Sequence, residues 1–398
     1  MVVNHPQNWM MKNKVSLFVK FPPIWGIFYC KFYWWAYTCH KDKGDIMINS
    51  FEDLKKAIPS INPDVKKVVD KYGVHITDYY LSLIDLQNPD DPLYRVVIPS
   101  VDELCVKQYE LDDPIGDDSD EFETRKTKML VHRYPDRVLF LTTSKCASRC
   151  RYCFRKSCVF GEKDLFDVAE FEKSLDYIKN TKSIREVVLS GGDALCMPRQ
   201  YFKRLFTFVI ENCPHIKGMR INTRACVYEP SLITDDLADF LNMVNKHIPL
   251  VFMTHIVHAR EITDTFKQAM AKLDCVKLNQ TPLLKGVNAT VEDLTNLSWA
   301  LVGAGIVPHY LHYLDKAKGT SHFRVSIDEA RKLVGGLLGH ISGHLIPKLI
   351  LDVPGGSGKI WLNPSFIEKE EYDGDKHILT IKSTYSDKVE TYCDYVEK

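Results

Sequence analysis

The chain has 398 residues, 45% of them hydrophobic, which is enough to bury at least one large core. Lysine plus arginine and aspartate plus glutamate number 52 each, a balance that argues against a nucleic acid or an anionic membrane as the main partner. Twelve cysteines spread over so long a chain, with one tight cluster, exclude a small disulfide-stapled scaffold and point to a reducing, cytoplasmic setting where clustered thiols hold metal.

Residues 1–46 form an aromatic-rich leader that carries four of the six tryptophans, Trp9, Trp25, Trp34 and Trp35. Pro22 and Pro23 break it, and Lys20 and Lys31 bracket ten uncharged residues, too few for a membrane span. It lacks the small-residue cleavage site of a secretory signal. The reading is a poorly ordered leader, with an amphipathic anchor as the alternative and translation expected to begin at Met47. Residues 47–125 are predicted to be an N-terminal helical region, opened by Ser50 with an aspartate three residues on. The acidic stretch over 110–123, "ELDDPIGDDSDEFE", is expected to close that region as a solvated linker.

From residue 136 short apolar runs alternate with helix-patterned segments: "RVLFLTT", "EVVLSGG", "GMRINTR", "LVFMTHI", "VKLNQTPLL" and "PHYLHYLD". Six such β/α units predict a parallel sheet with right-handed crossovers, curled into a full or partial barrel over 126–316. The polar residues of these runs fall at the strand ends, where such folds place their active sites. A last run, "LIPKLILDVPGGSGK", reads as a further strand entering a glycine-rich loop within a C-terminal region over 317–398.

The tight cluster is "TTSKCASRCRYCFRKSC", with Cys146, Cys150 and Cys153 in a C-x3-C-x2-C spacing. Three thiolates on one loop suit zinc or an iron-sulfur cluster. A structural zinc needs a fourth protein ligand, for which Cys158 is the nearby thiol; a cubane held by three cysteines leaves one iron open. Arg151, Tyr152 and Arg155 make the loop too polar for core. The glycine-rich "DVPGGSGKI" is not a phosphate-binding P-loop, because Val353 and Ile360 stand where that motif requires glycine and Ser or Thr. A lysine on such a loop, Lys359, can instead form a Schiff base with pyridoxal phosphate. Arg133 and Arg137 in "HRYPDRVLF" offer the guanidinium forks that a phosphate needs.

The cysteine spacing, with an aromatic residue before the last thiol, and the "SGGDAL" segment resemble the radical S-adenosylmethionine enzymes. With "HRYPDRVL", "CRYCFR", "THIVHAREIT", "LLKGVN", "HFR" and "DVPGGSGK" the resemblance narrows to the lysine 2,3-aminomutase family and runs from residue 78 to 367. It implies an α/β fold: a partial (β/α)6-type radical SAM barrel with an N-terminal helical region and a C-terminal extension that binds pyridoxal phosphate (PLP). It also implies that Cys146, Cys150 and Cys153 hold a 4Fe-4S cluster, and that Gly191, Gly192 and Asp193 receive the methionyl amine of S-adenosyl-L-methionine. By the same resemblance Lys359 binds pyridoxal 5'-phosphate and Arg133, Tyr134 and Arg137 contact its phosphate, while His255 and Gln280 match further cofactor-contacting positions.

Arg155 matches the family's carboxylate-binding arginine, and Asp315 and Asp352 match the two acids that grip the distal ammonium of lysine. Two neighbouring carboxylates are costly unless a cation joins them. This pair argues for lysine and against glutamate, with arginine and ornithine as alternatives. The implied reaction interconverts L-lysine and β-lysine by 1,2-amino migration, started by a 5'-deoxyadenosyl radical and needing an external one-electron donor such as flavodoxin or ferredoxin. A homo-oligomer is left open. "YLHYLDKAKGTSHF" looks more like the aminomutases that supply β-lysine for elongation factor P modification, and "LDVPGGSGK" like those acting on free lysine. The cysteine-rich zinc tail of the latter is reduced here to Cys393. Two rival readings are a radical enzyme that moves no amino group and a non-catalytic iron-sulfur or zinc-binding protein.

Overall fold

A computed structural model describes residues 47–117, 124–156 and 164–395; the leader over 1–46 and Cys158 lie outside the described residues. Ser50 caps the first helix, α1 (Phe51–Ala57), by accepting from the Asp53 amide at 3.1 Å, as the sequence pattern requires. Helices α2 (Val65–Tyr72), α3 (Asp78–Leu81) and α4 (Pro92–Val97) follow, the last started by Pro92 at its first turn and capped by Asp91.

Ten strands then form one sheet in strict chain order. They are β1 (Arg125–Thr127), β2 (Leu130–Tyr134), β3 (Arg137–Leu141), β4 (Glu186–Ser190), β5 (Gly218–Thr223), β6 (Leu250–Thr254), β7 (Val276–Pro282), β8 (Val307–His312), β9 (Lys348–Val353) and β10 (Gly358–Trp361). The six predicted strands are β3 to β8, all parallel. The seventh parallel strand, β9, pairs Lys348–Ile350 with Tyr310–His312, so the C-terminal region extends the same sheet instead of standing apart from it. The edge strands β1 and β10 are not paired with each other, which leaves a partial barrel.

The crossovers run through α5 (Val168–Asn180), α6 (Arg199–Asn212), the short α7 (Ala225–Tyr228), α8 (Asp235–His247), α9 (Asp264–Ala271), α10 (Val291–Gly303) and α11 (Ile327–Gly335). Their apolar residues recur at helical spacing and are buried against the sheet: Phe171, Leu175 and Ile178 on α5, and Phe202, Leu205, Phe206 and Val209 on α6. Each such side chain contributes roughly 1.5–3 kcal/mol. Since strands buried on both faces are apolar throughout, polar side chains collect where the strands run out.

Two features were not foreseen. The solvated linker expected over 110–123 turns two of its acids inward, Glu110 at 5% and Asp117 at 7% exposed, while Leu111 and Asp112 stay exposed. Glu110 accepts from the amides of Gly319, Thr320 and Ser321, and Leu111 exchanges backbone bonds with Lys316 and Lys318. The chain also ends in an antiparallel meander, β11 (Ile367–Asp373), β12 (Lys376–Lys382) and β13 (Val389–Tyr395), whose outer strands are exposed throughout. Among the described residues no helix is long and apolar enough to cross a membrane.

Candidate active site

The cysteine loop leaves the end of β3 and is closed at its base by Asp164. Its carboxylate accepts from Thr143 Oγ1 at 2.8 Å, the Ser144 amide at 2.9 Å and the Phe166 amide at 3.2 Å, joining the two ends of the loop. The N-terminal region straps the loop from outside. The His75 carbonyl accepts from the Arg149 amide and Ser148 Oγ, and the Val96 carbonyl accepts from the Arg151 amide.

The polar side chains that argued against a core loop are in fact inside: Arg151 is 1% and Tyr152 4% exposed. Arg151 makes a two-pronged pair with Glu103, at 2.9 and 2.6 Å, and Lys156 joins the same carboxylate at 2.5 Å. Burial works against the charges of Glu103 and Lys156. At Glu103 it is outweighed by two cations, which hold the carboxyl below its usual range. Lys156 has one acid and faces the charge of Arg151, so burial wins there and brings it down to about 8.

Cys146, Cys150 and Cys153 lie half-exposed on this loop. Burial of their sulfur atoms pushes the Cys153 thiol up to about 12 and Cys146 well above the ordinary range, with Asp193 and neighbouring thiols adding to the latter. Thiolates here would be expensive without bound metal. Among the described residues no three His, Cys, Asp or Glu side chains converge as a single ion demands. A cubane takes each thiolate on a different iron, and three separated thiols on one loop fit that requirement.

Gly191 and Gly192 end β4 against the backbone of the cysteine loop. A Cβ on Gly192 would stand 2.3 Å from the Lys145 carbonyl oxygen, so only glycine allows this approach. The amides of Gly192 and Asp193 donate to Thr143 and Lys145 at 2.6 and 2.8 Å. The Asp193 carboxylate is used inside the protein: it accepts from Leu195, Thr223 Oγ1, and the amides of Arg224 and Ala225, between 2.7 and 3.0 Å. It thereby ties the ends of β4 and β5 together, and the segment offers a ligand its backbone. A cavity of about 280 Å3 opens here, lined among others by Thr143, Phe154, Arg155, Asp117, Gly191 and Gly192.

Across the open side of the barrel the two sheet edges approach one another. A Cβ on Gly358 would meet Tyr134 Oη at 3.0 Å, and one on Gly356 would lie 3.6 Å from Arg133 Nε. Arg137 stacks on the Tyr134 ring, its guanidinium carbon 3.9 Å from the centroid. Asp117 joins two predicted site residues: Oδ1 takes Arg133 Nη2 at 3.2 Å and Oδ2 takes Arg155 Nη2. The Nε atoms of both arginines are buried without a hydrogen-bond partner among the described residues.

Lys359 faces Asp352 across the β9–β10 ladder and pairs with its Oδ1. The other oxygen, Oδ2, lies 3.4 Å from His312 Nδ1. Burial raises Asp352, but His312 and Lys359 more than offset it and hold the group down to about 2. Asp315 lies in the same field with the opposite result. Burial and then the charge of Asp352 push it up to about 7, against the opposing pull of Lys359, Arg324 and Arg155. The paired acids are therefore neighbours, one ionised and one poised to titrate. His255 stacks on Tyr152, with Nε2 3.2 Å from the Tyr152 hydroxyl, and burial with the charge of Arg224 keeps it neutral. Gln280 sits beside Tyr310 in the β7–β8 register and makes no side-chain hydrogen bond to a described residue.

Residues 136–263 match the model of a 4Fe-4S single cluster domain. The chain is 37% identical over 308 residues to L-lysine 2,3-aminomutase of Methanococcus maripaludis, covering 76% of this chain and 69% of that protein. It is 35% identical over 352 residues to L-lysine 2,3-aminomutase of Clostridium subterminale, covering 86% and 82%. Glutamate 2,3-aminomutase of Clostridioides difficile shares 33% over 312 residues, covering 78% and 72%. The chain belongs to the lysine 2,3-aminomutase family of radical S-adenosylmethionine enzymes.

As a member of that family it is an isomerase, and it joins an iron-sulfur domain to the use of S-adenosylmethionine. Beyond its motif residues the site includes Asp117, Asp164, Arg224, Tyr228 and His312. Asp117 sits in an acidic stretch with no motif around it. Arg224 and His312 fall at the strand ends in "NTR" and "YLH", the one signal that marks them in advance.

Proposed function

We propose that this aminomutase interconverts L-lysine and β-lysine, with a 4Fe-4S cluster on Cys146, Cys150 and Cys153 and pyridoxal 5'-phosphate on Lys359. The observation that carries the choice of substrate is the seat around Asp352: an alkylammonium, that of Lys359, rests on one of two neighbouring carboxylates inside a half-closed site. The distal ammonium of a lysine substrate has the same chemistry.

When bound, the cluster and S-adenosylmethionine supply a carbon radical, and pyridoxal phosphate supplies the conjugated ring that carries the nitrogen as it moves. Arg133 and Tyr134, next to Gly356 and Gly358, suit its phosphate, with Arg137 behind them on the Tyr134 ring. Lys359, after passing its ammonium proton to solvent and leaving Asp352, would be the residue that holds the cofactor. Asp352 and Asp315 then receive the substrate's distal ammonium, and Arg155 turns from Asp117 to the substrate carboxylate. Neutral His255 and Gln280 would help hold the cofactor, and the backbone of Gly191, Gly192 and Asp193 would take the methionyl amine. The C-terminal strands β9 and β10 act as the cofactor-binding extension of a (β/α)6-type barrel.

The enzyme works in the cytoplasm with an external one-electron donor of the flavodoxin or ferredoxin kind, and oligomer formation is part of the same proposal. The test is anaerobic: the reconstituted chain with S-adenosylmethionine, pyridoxal phosphate, dithionite and L-lysine is assayed for β-lysine by chiral chromatography, with arginine, ornithine and glutamate in parallel. β-Lysine alone is the expected product. Product from glutamate but not lysine would overturn the reading of the acid pair.

A further inference from the structure

Behind the cysteine loop lies a buried chain of polar groups to which the proposed function assigns no role. Tyr228, the last residue of α7, is 2% exposed, and its hydroxyl lies 3.0 Å from Cys150 Sγ. Its backbone carbonyl accepts from Thr77 Oγ1 at 2.5 Å, and its ring meets Tyr80 edge-on with centroids 4.7 Å apart. The Arg224 guanidinium carbon stands 4.6 Å from the Tyr228 ring centroid. Arg224 is fixed by Glu261, Nη2 to Oε1 at 2.5 Å, and the same oxygen accepts from the Tyr80 hydroxyl at 2.5 Å. Glu261 is 0% and Arg224 5% exposed, so the assembly sits at low dielectric and cannot easily rearrange.

A free thiol and a phenol can each donate to the other. A cysteine sulfur bound to iron has no proton, so at Cys150 only the phenol can donate. A guanidinium against the ring draws electron density from it and makes the hydroxyl a stronger donor. Hydrogen bonds to cluster sulfurs withdraw charge from the iron and stabilise the reduced state, which raises the reduction potential. We propose that Tyr228 is a positioning residue for the cluster: its hydroxyl donates to Cys150 Sγ and, with Arg224 behind it, makes the cluster easier to reduce. The inference rests on the reading of Cys150 as an iron ligand. The electron comes from a one-electron reductant, dithionite in the test, and the cluster gains one unit of negative charge. The proton stays on Tyr228, and no bond to it forms or breaks.

The test uses the full chain, reconstituted anaerobically, as wild type and as Tyr228→Phe and Arg224→Lys. Iron and sulfide are assayed first, then the midpoint potential by redox titration followed by electron paramagnetic resonance. Tyr228→Phe is expected to load a full cluster with a more negative midpoint and Fe–S(Cys) Raman bands at higher frequency, and Arg224→Lys to shift the midpoint less in the same direction. An unchanged midpoint in fully loaded Tyr228→Phe overturns the proposal. Should that variant not load, the wild type decides: Fe–S(Cys) bands that do not move on transfer to D2O overturn it equally. Cys150→Ala that keeps an unaltered cluster spectrum would instead sink the ligand assignment, a separate failure.

Discussion

The cysteine-loop side and the glycine-loop side of the barrel mouth are built on opposite terms. Around the cysteines the protein satisfies its own charges: Glu103 takes Arg151 and Lys156, Asp164 closes the loop, Asp193 binds four donors, and Glu261 takes Arg224. At the far side the pairings are provisional. Arg133 and Arg155 share Asp117, Lys359 sits on Asp352, and Asp315 is half committed to a proton. On the proposed function, the contrast separates a frame that would hold an oxygen-sensitive group in one place from a seat whose internal ion pairs would be exchanged for ligands.

The comparison breaks most visibly if the groups assigned to each end are removed. Lys359→Ala is expected to cut β-lysine formation by roughly a thousandfold or more and to abolish the visible-edge absorbance of bound pyridoxal phosphate, while S-adenosylmethionine cleavage persists. Loss of both together would mean that the two ends are not separable. At the frame, Glu103→Ala strands two buried cations and should cost roughly 3–5 kcal/mol of unfolding free energy. Chemical denaturation would read it, and a cost below about 1 kcal/mol would show that the triad is not the brace described here.

Asp315 sharpens the comparison through pH. Its carboxyl lies near 7 in the folded chain against 3.8 ordinarily, so the proton favours the folded state. That contribution is complete below the ordinary value, falls away as pH rises through 7, and leaves a penalty above it. Asp315→Asn is therefore expected to be more stable than wild type at pH 8 by about 2 kcal/mol or more, with the difference vanishing near pH 4. Lysine affinity should rise about tenfold from pH 6 to pH 8 in wild type and stay flat in the variant, as calorimetry can establish.

A smaller change is expected from Asp117→Asn, which frees Arg133 and Arg155. Pyridoxal phosphate should bind about tenfold tighter by absorbance titration, since one competing charge-assisted pair is gone. Equal or weaker binding would show that Asp117 orients the arginines and does not compete for them. The smallest effect belongs to exposed pairs such as Lys203 with Asp236, where Lys203→Ala should change stability by less than about 1 kcal/mol.

The parallel strands were legible because a strand buried on both faces must be apolar along its length, and polar letters at its end stand out as site residues. The acidic stretch was misread for a related reason: composition marks Glu110 and Asp117 as solvated, and only the cations and amides that fold onto them reverse that. The C-terminal meander passed unnoticed because "IEKEEYD" and "VETYCDY" alternate without a buried face to give them a pattern.

By itself the sequence determined the order of the parallel strands, the three thiols on one loop, the lysine on its glycine turn and the acids at two strand ends. These follow from local spacing, which the chain carries whatever its fold. The tertiary structure decided which charges meet. Asp352 is held ionised while Asp315 is pushed up to about 7, although the two are the same residue type in one pocket, because His312 and Lys359 outweigh burial at one and burial dominates the other. The link from Tyr228 to Cys150 spans residues that the sequence separates by two strands and two helices, and only the curling of the sheet brings the two side chains within a hydrogen bond.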